Sequence, residues 1–273
     1  MARYGILSDI HGNLEALQAA LAFLDERGVE RVLCLGDLVG YNADSDACLR
    51  ALERLPVEAV AGNHDLIASG ALGTERCCDK AAFALRRTRR ALSEPGRRAL
   101  LALPRRRVIE GDVVLVHGSV LDVCQYMNGA ARVEQNEALL RRLHPGARVC
   151  FFGHTHAPRL YDVRGGVASA REPGEETLLL PGGDRTFFVN PGSVDAARKE
   201  GERRAELAIF DSSRRSISFH RVLYDHERSE RRAIEGGYRM TRADEGLYTA
   251  ARALRRGRRL LGEGLRRAAR LGR

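Results

Sequence analysis

Short apolar runs that end in polar clusters recur along the chain: YGILSD (4–9), RVLCLGD (31–37), VEAVAGNHD (57–65), DVVLVHG (112–118), ARVCFFGH (147–154) and TFFVNPG (186–192). Continuous apolar character over so few residues is the pattern of strands buried on both faces. Between the first two runs, Leu14, Leu17, Leu21 and Leu24 repeat at helical spacing, with Gly28 as a stop. Between the next two, Ala47, Leu52 and Leu55 mark a second helix closed by Pro56. Strand, helix, strand, helix, strand predicts parallel βαβ units and an α/β fold.

Residues 66–107 break this rhythm, running Arg- and Ala-rich through RCCDKAAFALRRTRRAL before Pro95 and Pro104. They read as a helical insertion that packs over or beside whatever site the strands build. Residues 162–185, rich in Gly, Pro and Glu, predict a loop or hairpin, and AELAIFD with SISFHRVLY supplies a last strand pair. These boundaries divide the chain into a domain over 1–225 and an Arg-rich C-terminal extension over 226–273.

Composition changes the picture mainly at that extension. A net charge of +9 by itself points to a nucleic-acid or membrane partner, yet residues 250–273 hold nine Arg and one Glu, which is +8, and leave +1 for the rest. From Leu247 the positions Ala251, Leu254, Leu261, Leu265 and Ala268 form an apolar stripe among the arginines, a basic amphipathic helix weakened at Gly257, Gly262 and Gly264 by about 1 kcal/mol each. Three occupants of the stripe stay open: the protein's own body, an anionic membrane surface, and a nucleic acid or acidic protein. No apolar run approaches the ~20 residues of a membrane span, and the N-terminus enters a strand at once, so the expected location is cytoplasmic. Six cysteines without a CxxC pair, Cys34 and Cys150 among them inside buried-strand runs, read as reduced core thiols.

The chemistry lies in the polar clusters, each at or just past the carboxyl end of a predicted strand, where open α/β sheets place their ligand crevice. Asp9 and His11 leave one strand end together and can share a metal. Asp37 follows Gly36, and its two oxygens can bridge two cations. Asn63 adds a neutral amide oxygen, while His117, His154 and His156 supply imidazole nitrogens suited to Mn, Fe or Zn. Two carboxylates, one amide and four imidazoles exceed a single tetrahedral ion and suit a pair of divalent metal ions. Such a pair, roughly 3.5–4 Å apart, binds a hydroxide between its members and holds a phosphate across them. A phosphate ester is the implied substrate.

Asp9-Ile10-His11, Gly36-Asp37, Gly62-Asn63-His64-Asp65, His117 and Gly153-His154-Thr155-His156 resemble, in order, the five signature blocks of the calcineurin-like metallophosphoesterase superfamily. The resemblance spans residues 5 to about 211. It implies a four-layer α/β/β/α sandwich, here with a helical insertion and a basic C-terminal helical tail. It also implies that Asp9, His11, Asp37 and His156 hold one metal and that Asp37, Asn63, His117 and His154 hold the other. His64 would then lie beside the leaving group as acid or as stabiliser of transition-state charge, which with Asp37 makes the catalytic pair.

Two departures narrow the resemblance. The phosphoprotein phosphatases and diadenosine tetraphosphate hydrolases of the superfamily carry an Asp-Arg pair where this chain has Gly40-Tyr41, so their charged clamp is absent. GDLVGYNADSDACL and HGSVLDVCQYM are similar instead to a broad group of small prokaryotic predicted phosphoesterases, which also end in an NPGSV block, here Asn190 to Val194, followed by Arg198 and Arg204. Gly192 and Ser193 are positioned to offer backbone N–H groups to an anion and Arg198 a fork, or else merely to turn the chain. Asn13 either touches phosphate or caps the helix that starts at Leu14, and capping is the simpler role. Every block is intact, which favours an active phosphoesterase, cleaving a monoester or a diester, over a metal-supported scaffold. A nuclease using the basic tail is the other alternative.

Overall fold

The computed structural model describes residues 2–195, 203–248 and 250–251. Arg198, and the amphipathic stripe from residue 252 onward, lie outside the described residues.

Twelve strands form two six-stranded sheets. In the first, β3 (Val57–Ala59), β2 (Arg31–Cys34) and β1 (Arg3–Leu7) run parallel and are followed by antiparallel β11 (Arg204–Asp211), β12 (Ser216–Leu223) and β9 (Thr177–Leu179). The second has the order β4 (Arg106–Ile109), β5 (Val113–Val116), β6 (Val149–Phe151), β10 (Arg185–Asn190), β7 (Arg159–Arg164) and β8 (Val167–Arg171), with β5, β6 and β10 mutually parallel. All six runs expected to be strands are strands. The predicted loop at 162–185 holds a hairpin of β7 and β8 plus β9, and the end of the 66–107 segment is strand β4.

Strand alternation sorts the apolar side chains into layers. Tyr4, Ile6, Leu33 and Phe210 from the first sheet meet Leu115, Phe151, Phe187 and Val189 from the second in the core between the sheets. Phe151 and Phe210 pack edge to face at 5.5 Å. On the outer side of the first sheet, Leu7, Cys34 and Leu207 face α1 (Leu14–Glu26) and α2 (Ser45–Glu53). On the outer side of the second, Val114, Cys150 and Phe188 face Val133 and Leu140 of α6 (Ala130–Leu143). This is the four-layer α/β/β/α sandwich, and each large apolar side chain it buries contributes about 1.5–3 kcal/mol. The inner stripe of α2 is Cys48, Leu49 and Leu52 rather than one that includes Leu55, which lies beyond the helix end and is exposed.

The 66–107 segment carries the end of α3 (Asn63–Ser69), then α4 (Asp79–Ala91) and α5 (Glu94–Ala102). Further on, α7 (His226–Glu235) docks Arg232 onto Asp44 and Glu15, and Ala233 and Tyr238 pack on Ala84 of α4. Residues 226–248 are thus built onto the body, and the segment after α7 packs against α4. No described helix is long and apolar enough to cross a membrane.

Candidate metal centre and its cleft

The strands stop short of the polar clusters, so the functional side chains sit on the turns that follow them. Those turns are unusual in backbone conformation. Among the described residues seven non-glycine residues have positive φ, and five are Asp9, His11, Asp37, His154 and His156. Left-handed backbone costs an L-residue roughly 1–2 kcal/mol and persists only where its surroundings over-determine it. Backbone hydrogen bonds between the turns provide this: Asp9 N–H donates to Gly36 O at 3.1 Å, His11 N–H to Asp37 O at 2.8 Å, and Gly153 N–H to His117 O at 2.8 Å.

The side chains converge accordingly. Asp9 Oδ2 accepts from Ser8 Oγ at 2.6 Å and from His154 N–H at 3.1 Å, which leaves Oδ1 facing His156 Nε2 at 3.1 Å and His11 Nε2 at 3.7 Å. Asp37 Oδ1 accepts from His64 N–H at 2.8 Å, while its Oδ2 lies 3.3 Å from His117 Nε2, 3.9 Å from His11 Nε2 and 4.0 Å from His64 Nε2. Among the described residues three groups have ligand atoms within 4.8 Å of one another and can hold a metal ion: Asp9, His11 and His156; His11, Asp37 and His64; Asp37, His117 and His154. Asn63 Oδ1, 3.1 Å from His117 Nε2, adjoins the last. All seven expected ligands are therefore brought together, and all are buried.

Hydrogen bonding favours a cation here. His117 Nδ1, 2.8 Å from Leu35 O, is placed to donate to it, which turns the Nε2 of a neutral imidazole toward Asp37 Oδ2 and Asn63 Oδ1. Three acceptors face each other there, an arrangement relieved by a proton or by a metal ion. Burial opposes the imidazolium, but the Asp37 carboxylate overrides it and pushes His117 up to about 9. Elsewhere the charges stand as metal binding needs them. Burial opposes ionisation of Asp37 and Asp9, yet His117 and His64 hold the first well below the carboxylate range, and His156 and His117 hold the second below it. Burial, then His64, pulls His11 well down, and burial with His117 pulls His154 down to about 4. His154 Nε2 is buried without a hydrogen-bond partner. The donor set fits divalent metal ions.

Two glycines are required by this closeness. A Cβ on Gly62 would strike Asp37 Oδ1, and one on Gly40, which has φ of 146°, would strike the rings of His64 and His11. His64 itself packs edge-on against His11, with ring centroids 4.6 Å apart, and beside Tyr41 at 4.8 Å.

The NPGSV block and Asn13 make their contacts within the fold. Gly192 N–H donates to Asn190 Oδ1 at 2.9 Å and Ser193 N–H reaches Glu206 Oε2 at 3.4 Å, so the donors expected to face an anion are engaged within the fold. Ser193 Oγ is likewise turned to the carbonyls of Asp195 and Asp9. The block instead braces the site, because Asn190 Nδ2 donates to Gly153 O at 2.9 Å and to Thr155 Oγ1 at 3.0 Å. Asn13 caps α1 through Ala16 N–H at 3.1 Å and donates its amide to Asp195 Oδ1 at 2.9 Å. Both ends of its amide are committed, which leaves the capping role.

Asp65 was missed as a site residue. Its carboxylate gathers the backbone N–H groups of Asp37, Leu38, Val39 and Gly62 at 2.8–3.2 Å, tying the Asp37 turn to the start of α3. Burial and the nearby Asp37 push its carboxyl up to about 7 against the pull of those donors. The available signal was its place three residues after Gly62, where an acid reaches back to a helix start. Asp195, on the wall beside the cluster, was missed as well, and burial raises its carboxyl.

The buried cluster forms the floor of a cleft of about 470 Å³. Its walls come from the run into α4 and its first turn (Arg76, Cys77, Cys78, Lys80), from Cys124 and Tyr126, and from Tyr238, Arg239, Met240 and Glu245. Residues 2–215 match the model of the calcineurin-like phosphoesterase superfamily domain. The chain belongs to that superfamily. A crystallised metallophosphoesterase from Sphaerobacter thermophilus is 32% identical and superposes with a TM-score of 0.71 over 86% of this chain and 94% of that one. A hypothetical protein from Pyrococcus horikoshii, at 20% identity and a TM-score of 0.69 over 88% and 95%, shares the fold. An uncharacterised protein of Methanocaldococcus jannaschii is 27% identical over 237 residues, 84% of this chain and 91% of its own. Membership points to a phosphoester hydrolase, and the His and Asp groups on its floor agree with the metal dependence typical of that family.

Proposed function

We propose that the chain hydrolyses a phosphomonoester or phosphodiester with two divalent metal ions, one held by Asp9, His11, Asp37 and His156, the other by Asp37, Asn63, His117 and His154. The observation that carries this is the position of Asp37 Oδ2, between His117 Nε2 at 3.3 Å and His11 Nε2 at 3.9 Å, where one carboxylate serves two groups of imidazoles. Bound there, a pair of Mn, Fe or Zn ions supplies Lewis acidity and a nucleophilic hydroxide at neutral pH. The protein's own part is orientation and charge. His64, wedged between His11 and Tyr41 and facing the cleft, stands where it donates a proton to the leaving oxygen or stabilises its developing charge. Burial of the floor excludes bulk water, and the walls position the rest of the ester.

Purified protein loaded with Mn2+ is expected to cleave p-nitrophenyl phosphate or its bis ester, and Asp37→Asn to lose at least about 10³-fold in kcat/KM. Equal turnover by the variant and the wild type overturns the proposal. Metal content without turnover on a broad phosphoester panel supports a scaffold instead.

A further inference from the structure

The cleft extends well beyond the space a phosphoryl group fills; its 470 Å³ lies in the range of sites that enclose an organic ligand. Two features of its walls define what that remaining space recognises. Tyr126 stacks on His154, with centroids 4.1 Å apart and planes at 24°, yet 48% of the residue is still exposed. A flat ring is therefore held rigidly at the edge of the metal-ligand cluster with surface left open in the cleft. Aromatic surface presented in this way favours another planar ring by offset stacking.

The second feature is charge. Of the cations lining the cleft, Arg76 is committed to both carboxylate oxygens of Asp122, at 2.8 and 2.9 Å. Arg239 is committed to Glu230, to Tyr41 O and to Asn42 Oδ1. Lys80 is exposed and makes no ion pair among the described residues. It is one of two lysines beside 43 arginines. An ammonium on a flexible stem serves a single mobile anion better than the fixed fork of a guanidinium does.

We propose that Tyr126 and Lys80 form a subsite for the alcohol half of the substrate, taking a planar aromatic group that carries a second negative charge. The proposal rests on the phosphoesterase reading. Tyr126 provides the stacking surface and Lys80 meets the extra charge, so the enzyme prefers anionic aryl phosphoesters to alkyl ones. The preference arises in binding, because neither residue reaches the scissile bond in this account.

The test uses the full-length, Mn2+-loaded protein with phenyl, 4-carboxyphenyl and cyclohexyl phosphate and their methyl diesters. Comparing each variant with the wild type on the same ester cancels intrinsic reactivity. Tyr126→Ala is expected to raise KM for both aryl esters about tenfold, to leave the cyclohexyl ester within about twofold, and to change kcat little, with Tyr126→Phe restoring the wild-type pattern. Lys80→Ala is expected to raise KM about threefold for the carboxyphenyl ester alone, an effect that fades at high salt. Equal losses on all three esters would mean that Tyr126 only positions His154 and would overturn the proposal, as would no change on any. Calorimetric binding of phenylphosphonate and cyclohexylphosphonate gives a readout without turnover. If the wild type cleaves none of the esters, the phosphoesterase reading fails, and the subsite stands or falls on whether Tyr126→Ala abolishes a preference for the phenyl ligand.

Discussion

The floor and the walls of the cleft are built differently. The floor is a set of turns at the ends of β1, β2, β3, β5 and β6, those after β1, β2 and β6 with left-handed residues held by hydrogen bonds between neighbouring strand ends, and its side chains are buried. The walls are α4, the 122–126 loop and residues 236–245, joined by side-chain ties such as Arg76 to Asp122 and Arg239 to Glu230. The sheet framework thus fixes the chemistry, whereas segments added to it shape the space around the chemistry. Changes to the floor should cost kcat and metal, and changes to the walls should cost KM and modest stability.

His64→Ala is expected to lower kcat roughly 10²–10³-fold while keeping the full metal content, measured by steady-state kinetics beside elemental analysis. A parallel loss of metal would make His64 a ligand, as its place in one of the three clusters allows, and would redraw the floor. Asp65→Asn tests how far the floor depends on its supports. It replaces one of two acceptor oxygens by an NH2 donor, leaves two of the four backbone N–H groups without their acceptor, and should weaken metal binding about 10–100-fold in a titration. Unchanged affinity would mean that the Asp37 turn holds itself. The smallest effect is expected at the wall. Arg239→Ala should cost about 1–2 kcal/mol in denaturant unfolding and raise KM a few-fold with kcat nearly constant. A large fall in kcat would show that its tie through Asn42, whose amide donates to His11 O at 3.2 Å, controls the floor as well.

The same division explains what the sequence disclosed. Asp9, His11, Asp37, Asn63, His117, His154 and His156 were legible because each follows an apolar run, so the strand pattern places them without knowledge of packing. The parallel strands followed from the same runs, whereas the pairing of two sheets into a sandwich came from the resemblance of the signature blocks. Asp65 was legible only as an acid near a helix start, because three of the N–H groups it receives belong to the Asp37 turn, which meets that helix only in the fold. Gly192 and Ser193 look like anion donors by composition, and their N–H groups are spent on Asn190 and Glu206, the second of which arrives from β11. The walls were least legible. Arg239 reaches Asn42 across 197 residues of sequence, and nothing in the local pattern of either segment announces the other. Residues 226–248 read as a polar extension because α7 binds the body through Arg232 with Asp44 and Glu15 and buries little apolar surface.

In the proposed site one carboxylate, Asp37, belongs to two metal sites. Counting Mn2+ bound per chain in the wild type, His156→Ala and Asp37→Ala by native mass spectrometry tests it most directly. About two ions, about one and none are expected, respectively, with all three proteins folded. A single ion in the wild type, or two retained by Asp37→Ala, would contradict it.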